Sequence, residues 1–291
     1  MNASHFSRRQ WLQRTGAISI AAALSACGKS PENNAPAAAA AKPDKPSDGQ
    51  KTVAVSGTDD RTVTVKEEWK IGITPNRAPA AFRDVEGKWQ GWEIEIIEAL
   101  FAALGKNYSL VSMVWTDKEK MLLEEKSIDC IISCLTITPQ RKTMFAFSES
   151  YFDDDYAVLV RKDSKITDHN GLAGQTVGTV SGFSVIGSLK AFRSPDGQSI
   201  TVREYVDERT GILGLMSDEV VAMVGDGQSI RYAAQHNAEQ LRVLPQGFDR
   251  QQYAVALRPN DLDRLKEINT ALFKLRDNGT LNAVRNKWFG A

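Results

Sequence analysis

The stretch Ser133–Lys142, SCLTITPQRK, runs from apolar chain through two threonines and a proline to an arginine, and its reading decides the fold. Thr138 has the side chain of a helix N-cap and Pro139 suits the first helical position. Arg141 then falls in the first turn, near the positive end of the helix dipole, where a cation calls for an anion. Upstream, Ile128–Cys134 is a continuous apolar run suited to a buried parallel strand. The motif therefore sits where a strand hands over to a helix. In open β/α sheets ligands lie beyond the carboxyl ends of the strands.

Working outward, Trp69–Ile73 alternates as a strand. A helix follows from Gly91, with Trp92, Ile96, Leu100 and Leu104 on one stripe and Gly105 as its stop. Tyr108–Val114 reads as a strand and Met121–Leu123 as part of a helix, giving β-α-β-α-β. The pattern recurs after Arg161. Strands are expected at Gln175–Thr179, Ile200–Tyr205 and Val220–Val224, and helices at Ser184–Phe192 and Glu208–Met216. Two β/α halves follow in succession, and Thr74, Ser133, Ser181 and Asp226 fall at strand ends. The tail holds a helix over Asp261–Asp277 with Leu262, Leu265, Ile268, Leu272 and Leu275 on one face, stopped by Asn278-Gly279. A short helix ending in Trp288 follows.

The amino terminus reads as an address. Arg8-Arg9 precede Trp11-Leu12, a short apolar run covers Thr15–Ala26, and Leu24-Ser25-Ala26-Cys27 ends it. The run falls short of the ~20 residues that a membrane span needs. Residues 1–27 resemble a bacterial lipoprotein signal with a twin-arginine-like start, which implies lipidation at Cys27. Ordinary n-region charge is the other reading of Arg8-Arg9, and export follows from either. Residues 28–68 form an Ala/Pro-rich tether whose core cannot bury enough surface to fold. About 40 such residues span roughly 35 Å as a coil. A weak hairpin signal lies in Thr52–Val55 and Thr62–Val65. The 36 basic and 36 acidic residues balance, so nothing suggests nucleic acid as a partner.

Cys130 and Cys134, four residues apart on a strand, stand roughly 13 Å from each other, too far for a disulfide. They read as buried free thiols. The three histidines, His5, His169 and His236, lie far from them in sequence, so no metal or other cofactor is expected.

From Trp69 to Gly290 the chain resembles bacterial extracellular solute-binding proteins of family 3, the polar amino-acid receptors of ABC importers. The resemblance is carried by Gly91-Trp92-Glu93-Ile94-Glu95, Trp115 with Lys118, Ile128-Asp129-Cys130-Ile131 and Thr136-Ile137-Thr138-Pro139-Gln140-Arg141. Phe147-Ser148 with Tyr151, Leu172-Ala173-Gly174, Val177-Gly178-Thr179 and Lys287-Trp288-Phe289-Gly290 continue it in order. It implies an α/β, two-lobed periplasmic-binding-protein-like fold of type II, with lobes joined by two crossing strands. Lobe 1 would hold residues 69–157 and 251–291, and lobe 2 residues 158–250. It further implies a monomeric, exported receptor, lipid-anchored on the outer side of the cytoplasmic membrane or in the periplasm. Such a receptor closes on a small carboxylate-bearing solute, above all an amino acid, and delivers it to an ABC transporter permease.

The resemblance also assigns roles. Arg141 matches the arginine that holds the ligand carboxylate, a task suited to a planar two-pronged donor; its bland reading is a surface cation. Asp226 matches the acid that accepts the ammonium, or else caps the helix that follows. Thr136 and the backbone near Ser133 match first-lobe contacts. Ser184, in a helix start at Ser181–Ser184, either touches ligand or caps. Trp115 is either cleft wall or lobe core, and Tyr151 packs near the hinge. Three positions depart from the pattern. Thr74 stands where relatives carry an acid, Arg77 where they carry an aromatic, and Ala80 where a Phe follows proline; Phe82 matches the next aromatic. Arg77 is either a solvated loop charge or a cleft residue. In the cleft it would select a second carboxylate, or neutralise Asp226 and abandon the ammonium site.

The rival readings are a cyclohexadienyl or prephenate-type dehydratase on the same fold and a module presenting ligand to a membrane sensor. A dehydratase needs a cleft acid with a shifted pKa. No His or Cys constellation suggests catalysis, and Asp153-Asp154-Asp155 reads as solvated loop charge.

Overall fold

A computed structural model describes residues Glu68–Gly290. The signal segment, Cys27, the tether and the Thr52–Val65 hairpin signal lie outside the described residues. The first lobe opens on β1 (Glu68–Ile73), whose alternating side chains bury Trp69, Ile71 and Ile73. A two-stranded hairpin, β2 (Phe82–Arg83) with β3 (Trp89–Gln90), leads into helix α1 (Trp92–Leu104). Gly91 has φ 131°, and a Cβ there would stand 1.9 Å from the Ala80 carbonyl oxygen, so only glycine allows this helix entry. At the other end Gly105 adopts the left-handed cap that the sequence predicts. Strand β4 (Asn107–Ser112) then pairs in parallel with β1 on one side, and β5 (Cys130–Ile131) pairs on the other.

β5 is shorter than its apolar run. The chain continues beside β1 only as far as the Ile132 amide, which donates to Gly72, and Cys134 then turns off at φ 48° with its amide on the Glu93 carboxylate. Both cysteines are buried free thiols. The helix expected around Met121 is a single π-type turn over Lys120–Glu124, after a 3₁₀ turn at Trp115–Asp117. Beyond β5, α2 (Pro139–Lys142) is one turn, and Thr138 caps it by accepting the Arg141 amide at 3.1 Å.

The 16-residue β6 (Ala146–Arg161) changes partner along its length. Residues Ala146–Asp155 pair antiparallel with β11 (Arg250–Leu257). Residues Tyr156–Val160 pair with β9 (Ala222–Asp226), and Leu159–Arg161 with β10 (Leu241–Val243). Asp153-Asp154-Asp155 therefore belong to the crossing strand and not to a loop. The second lobe's sheet continues through β7 (Thr176–Val180) to β8 (Thr201–Tyr205), both parallel to β9's direction. Helices α3 (Val185–Ala191), α4 (Glu208–Met216) and α5 (Gly227–His236) connect these strands. Neither α5 nor β10 is among the elements expected from sequence, although α5 is amphipathic, with Ile230 buried and Arg231 exposed.

The carboxy-terminal α6 (Leu262–Asp277) and α7 (Thr280–Phe289) return to the first lobe and pack on α1. Ile268, Leu272 and Leu275 are buried, each worth ~1.5–3 kcal/mol of transfer free energy. Leu262, expected on that face, is 62% exposed at the first turn.

Candidate functional site

The parallel strands of the two lobes run towards each other and end where the lobes meet: β1 before Thr74, β5 ahead of Ser133, β7 before Ser181 and β9 at Asp226. The loop after β1 is pinned there by two backbone hydrogen bonds between Arg77 and Ala81, 2.8 and 2.9 Å long. They aim the Arg77 side chain into the cleft. Its Nη1 donates to the Ser133 carbonyl at 3.1 Å, and its Nη2 forms an ion pair with Asp226 Oδ2. The guanidinium carbon stands 5.6 Å from the ring centres of both Trp115 and Phe183. Burial is the largest influence and works against the Arg77 cation, but Asp226 together with Cys134, Glu208 and Tyr253 outweighs it and holds the group well above its ordinary pKa.

Arg141, 7% exposed, occupies the same cluster. Its Nη1 donates to the Thr136 carbonyl at 2.9 Å and its Nη2 to Gly182 in the second lobe at 3.0 Å. Its guanidinium lies 5.6 Å from the Trp115 ring. No carboxylate lies within ion-pair distance of it among the described residues, and burial lowers its pKa. Lys118 stands 4.6 Å from the Trp115 ring and is paired with Glu119 at 3.1 Å. Two buried polar atoms of this cluster have no hydrogen-bond partner, Trp115 Nε1 and Thr74 Oγ1. In a folded protein such orphans mark places that a ligand or water completes.

The carboxylates around this cluster are, by contrast, all engaged. Asp226 Oδ1 accepts from Gln251 Nε2 at 3.1 Å while Oδ2 holds Arg77. Asp226 begins α5 without capping it through its side chain, so the helix-cap reading is set aside. Asp154 Oδ2 accepts the Tyr253 hydroxyl at 2.9 Å and the Gln228 amide at 3.2 Å. Burial, then Asp226, pushes Asp154 up to about 6. Glu208 Oε1 accepts the Asp226 amide at 3.0 Å, and burial followed by Asp226 raises its carboxyl to about 8. Glu93 accepts the Cys134 amide at 2.6 Å and the Tyr151 hydroxyl, and burial raises its pKa.

The structure thus brings together Thr74, Arg77, Trp115, Ser133, Arg141 and Asp226. Ser133 receives the Thr74 amide on its hydroxyl at 3.0 Å. Thr136 joins through its carbonyl, while its hydroxyl turns to Gln251 Oε1. Two residues stand apart from the expectation. The Ser184 amide and hydroxyl are both taken by the Tyr156 hydroxyl, at 3.2 and 3.0 Å, because Tyr156 on β6 reaches under α3. Phe82 packs edge-on against Trp288 at 6.4 Å, since the β2–β3 hairpin carries it towards α7. Sequence reasoning missed Gln251, Glu208 and Asp154. Gln251 had a usable signal: on β11 it shares the buried alternation of Tyr253, Val255 and Leu257, a polar side chain on an apolar face. An adjoining groove of about 980 Å³ is lined by Pro79, Asp153–Asp155, Arg231, Gln251, Arg285 and Trp288; it shares Asp154 and Gln251 with the cluster and contains none of the expected site residues. Among the described residues no cluster of His, Cys, Asp or Glu could hold a metal, and no helix is long and apolar enough to cross a membrane.

Two α/β lobes joined by two crossing strands, with charged side chains at the facing strand ends, define a periplasmic-binding-protein fold of type II. The chain belongs to the bacterial extracellular solute-binding proteins of family 3, whose profile matches residues 69–291. It is 31% identical over 223 residues to the L-cystine-binding protein TcyJ of Escherichia coli (strain K12), covering 76% of this chain and 82% of TcyJ. Among solved structures, holo ArgBP from T. maritima matches with TM-score 0.66 at 29% identity, over 76% of this chain and 96% of ArgBP. The ancestral amino-acid-binding protein AncCDT-1, a precursor of cyclohexadienyl dehydratase, matches with TM-score 0.69 at 26% identity, over 76% and 95%.

Proposed function

We propose that this protein is an extracytoplasmic receptor that captures a small carboxylate-bearing solute, an amino acid above all, and delivers it to an ABC transporter permease. The observation that carries this reading is Arg141. It is a buried, always-charged fork with carbonyl partners alone, set between lobes and beside an unpartnered indole N–H. A ligand carboxylate would supply the missing charge, and water leaves when lobes close, so the interaction favours the closed form. Thr74, Arg77, Trp115, Ser133, Thr136 and Asp226 would line the same site. Lobe 1 would hold residues 69–157 and 251–291 and lobe 2 residues 158–250. Residues 1–27 would direct export, and lipid on Cys27 with the tether of residues 28–68 would keep a monomeric receptor at the membrane.

A thermal-shift screen of the full chain against the amino acids, cystine, glutamine and arginine included, tests the receptor reading. Stabilisation by at least one of them is expected, since a ligand that binds only the folded state raises its melting temperature. No shift with any amino acid or small carboxylate overturns it. A dehydratase reading has one observation in its favour, the raised Glu208 carboxyl beside Asp226. Turnover of prephenate or arogenate by the purified chain would establish it.

A further inference from the structure

We infer that the cleft prefers a solute carrying one net negative charge, and that Arg77 is the residue that sets this preference by occupying Asp226. The inference rests on the receptor reading above and names the ligand's charge class.

An α-amino acid with a neutral side chain brings one anion and one cation into the cleft, and each loses its water there. The anion has a counterpart in Arg141. The cation has none left. Asp226, the acid at the end of β9, already has one oxygen on Gln251 and the other on Arg77. Asp154, Glu208 and Glu93 are each committed to a backbone amide, and Asp154 and Glu93 also to a tyrosine hydroxyl. Their raised pKa values leave less negative charge for a ligand's ammonium to find. Among the described residues the cleft therefore offers an unpaired cation and an unpartnered indole N–H, and no unpaired anion.

Arg77 cannot simply swing out to vacate Asp226. Its backbone is fixed to Ala81, its second nitrogen is on the Ser133 carbonyl, and its guanidinium rests 5.6 Å from the ring centres of both Trp115 and Phe183, which pack edge-on against each other. Two kinds of solute fit this arrangement. An acidic amino acid brings a second carboxylate that competes with Asp226 for Arg77 and so frees an Asp226 oxygen for its own ammonium, which a neutral amino acid cannot do. A carboxylate without an ammonium needs only Arg141. Both carry one net negative charge, whereas a cationic side chain would add a charge that the cleft cannot pair.

Calorimetric titration of the full chain with glutamate, glutaramate (the same carbon chain as glutamine without the ammonium), glutamine and arginine tests this. At least one of the two monoanions should bind about tenfold or more tightly than glutamine, with arginine weakest. In Arg77→Met, which keeps length and apolar contact with the rings, that gap should close to within about threefold. Glutamate alone binding tightly identifies the second carboxylate as the decisive feature, and glutaramate alone the missing ammonium. Equal wild-type affinity for glutamate, glutaramate and glutamine overturns the inference, as does a gap that survives in Arg77→Met. Should that variant not fold, Asp226→Asn must widen the gap between glutaramate, which has no ammonium, and glutamine, and an unchanged or narrowed gap overturns it. If an amino acid stabilises the chain but shows no charge preference, this inference fails and the receptor reading stands. If no solute binds at all, both fail.

Discussion

Arg77 in the first lobe and Asp226 in the second form an ion pair across the cleft, with 10% and 3% of their side-chain surfaces exposed. Removing one member of a buried pair costs ~3–5 kcal/mol while the other stays dry. Hinged lobes have an alternative, because opening the cleft returns the survivor to water. Asp226→Ala should therefore open the ligand-free protein more than it unfolds it. Small-angle scattering should give a larger radius of gyration for the variant than for the wild type, and identical radii would show that the pair does not hold the lobes together.

Arg141→Lys keeps the charge and loses the fork. A single ammonium nitrogen cannot stand in for both Nη1 at Thr136 and Nη2 at Gly182 and still offer a two-pronged grip to a ligand carboxylate, so affinity for the ligand found by thermal screening should fall ~10–100-fold, or about 1.5–3 kcal/mol. Titration calorimetry gives the number, and unchanged affinity would remove Arg141 from the site.

Gly182 has φ 77°, and a Cβ there would stand 3.3 Å from Trp115 Nε1 and 3.6 Å from its Cδ1. Gly182→Ala should cost about 1 kcal/mol of stability from the left-handed backbone. It should also weaken ligand binding about tenfold, because the added methyl crowds the indole only when the lobes meet. A chemical-denaturation curve and a titration on the same sample separate the two effects.

Glu208, raised to about 8 by burial and Asp226, binds its proton more tightly in the folded chain than in the unfolded one, where its pKa is near 4.5. Its contribution to stability is full below about 4.5 and declines as pH rises to about 8. Asp154, raised to about 6, contributes a similar decline that ends near that pH. Between pH 6.5 and 8 the loss therefore belongs mainly to Glu208. Urea midpoints for Glu208→Gln should fall less over that interval than those of the wild type, and an equal fall would contradict the assignment.

Cys27 provides a test of anchoring. The full chain produced in a bacterium should partition into a detergent phase through its lipid, and Cys27→Ser should partition into water. Equal partitioning of the two would exclude lipid at this position.

The elements most legible in the sequence were those with a local cause. The stripe of α1 and its Gly105 stop, the Thr138 cap with Pro139, and Glu208–Met216 stand where their side chains put them. Such elements are written in hydrogen bonds and burial patterns that span a few residues. Legibility failed where a segment's role depends on distant chain. Three adjacent aspartates look solvated in one dimension, yet they lie on the strand that passes from one sheet to the other. The question raised by Arg141 also changed form. α2 is a single turn, too short for a substantial dipole, so what calls for an anion is the burial of Arg141 among carbonyls.

The sequence by itself determined the succession of two β/α halves, the strand ends that face the cleft, and the presence of an arginine and an aspartate suited to the two ends of an amino acid. Tertiary structure alone decided that Asp226 is held by Arg77, 149 residues away, and steadied by Gln251. The physical reason is that helix and strand patterns follow from neighbours along the chain. The partner of a buried charge is chosen by whichever group the closing lobes bring within reach, and no local pattern records that choice.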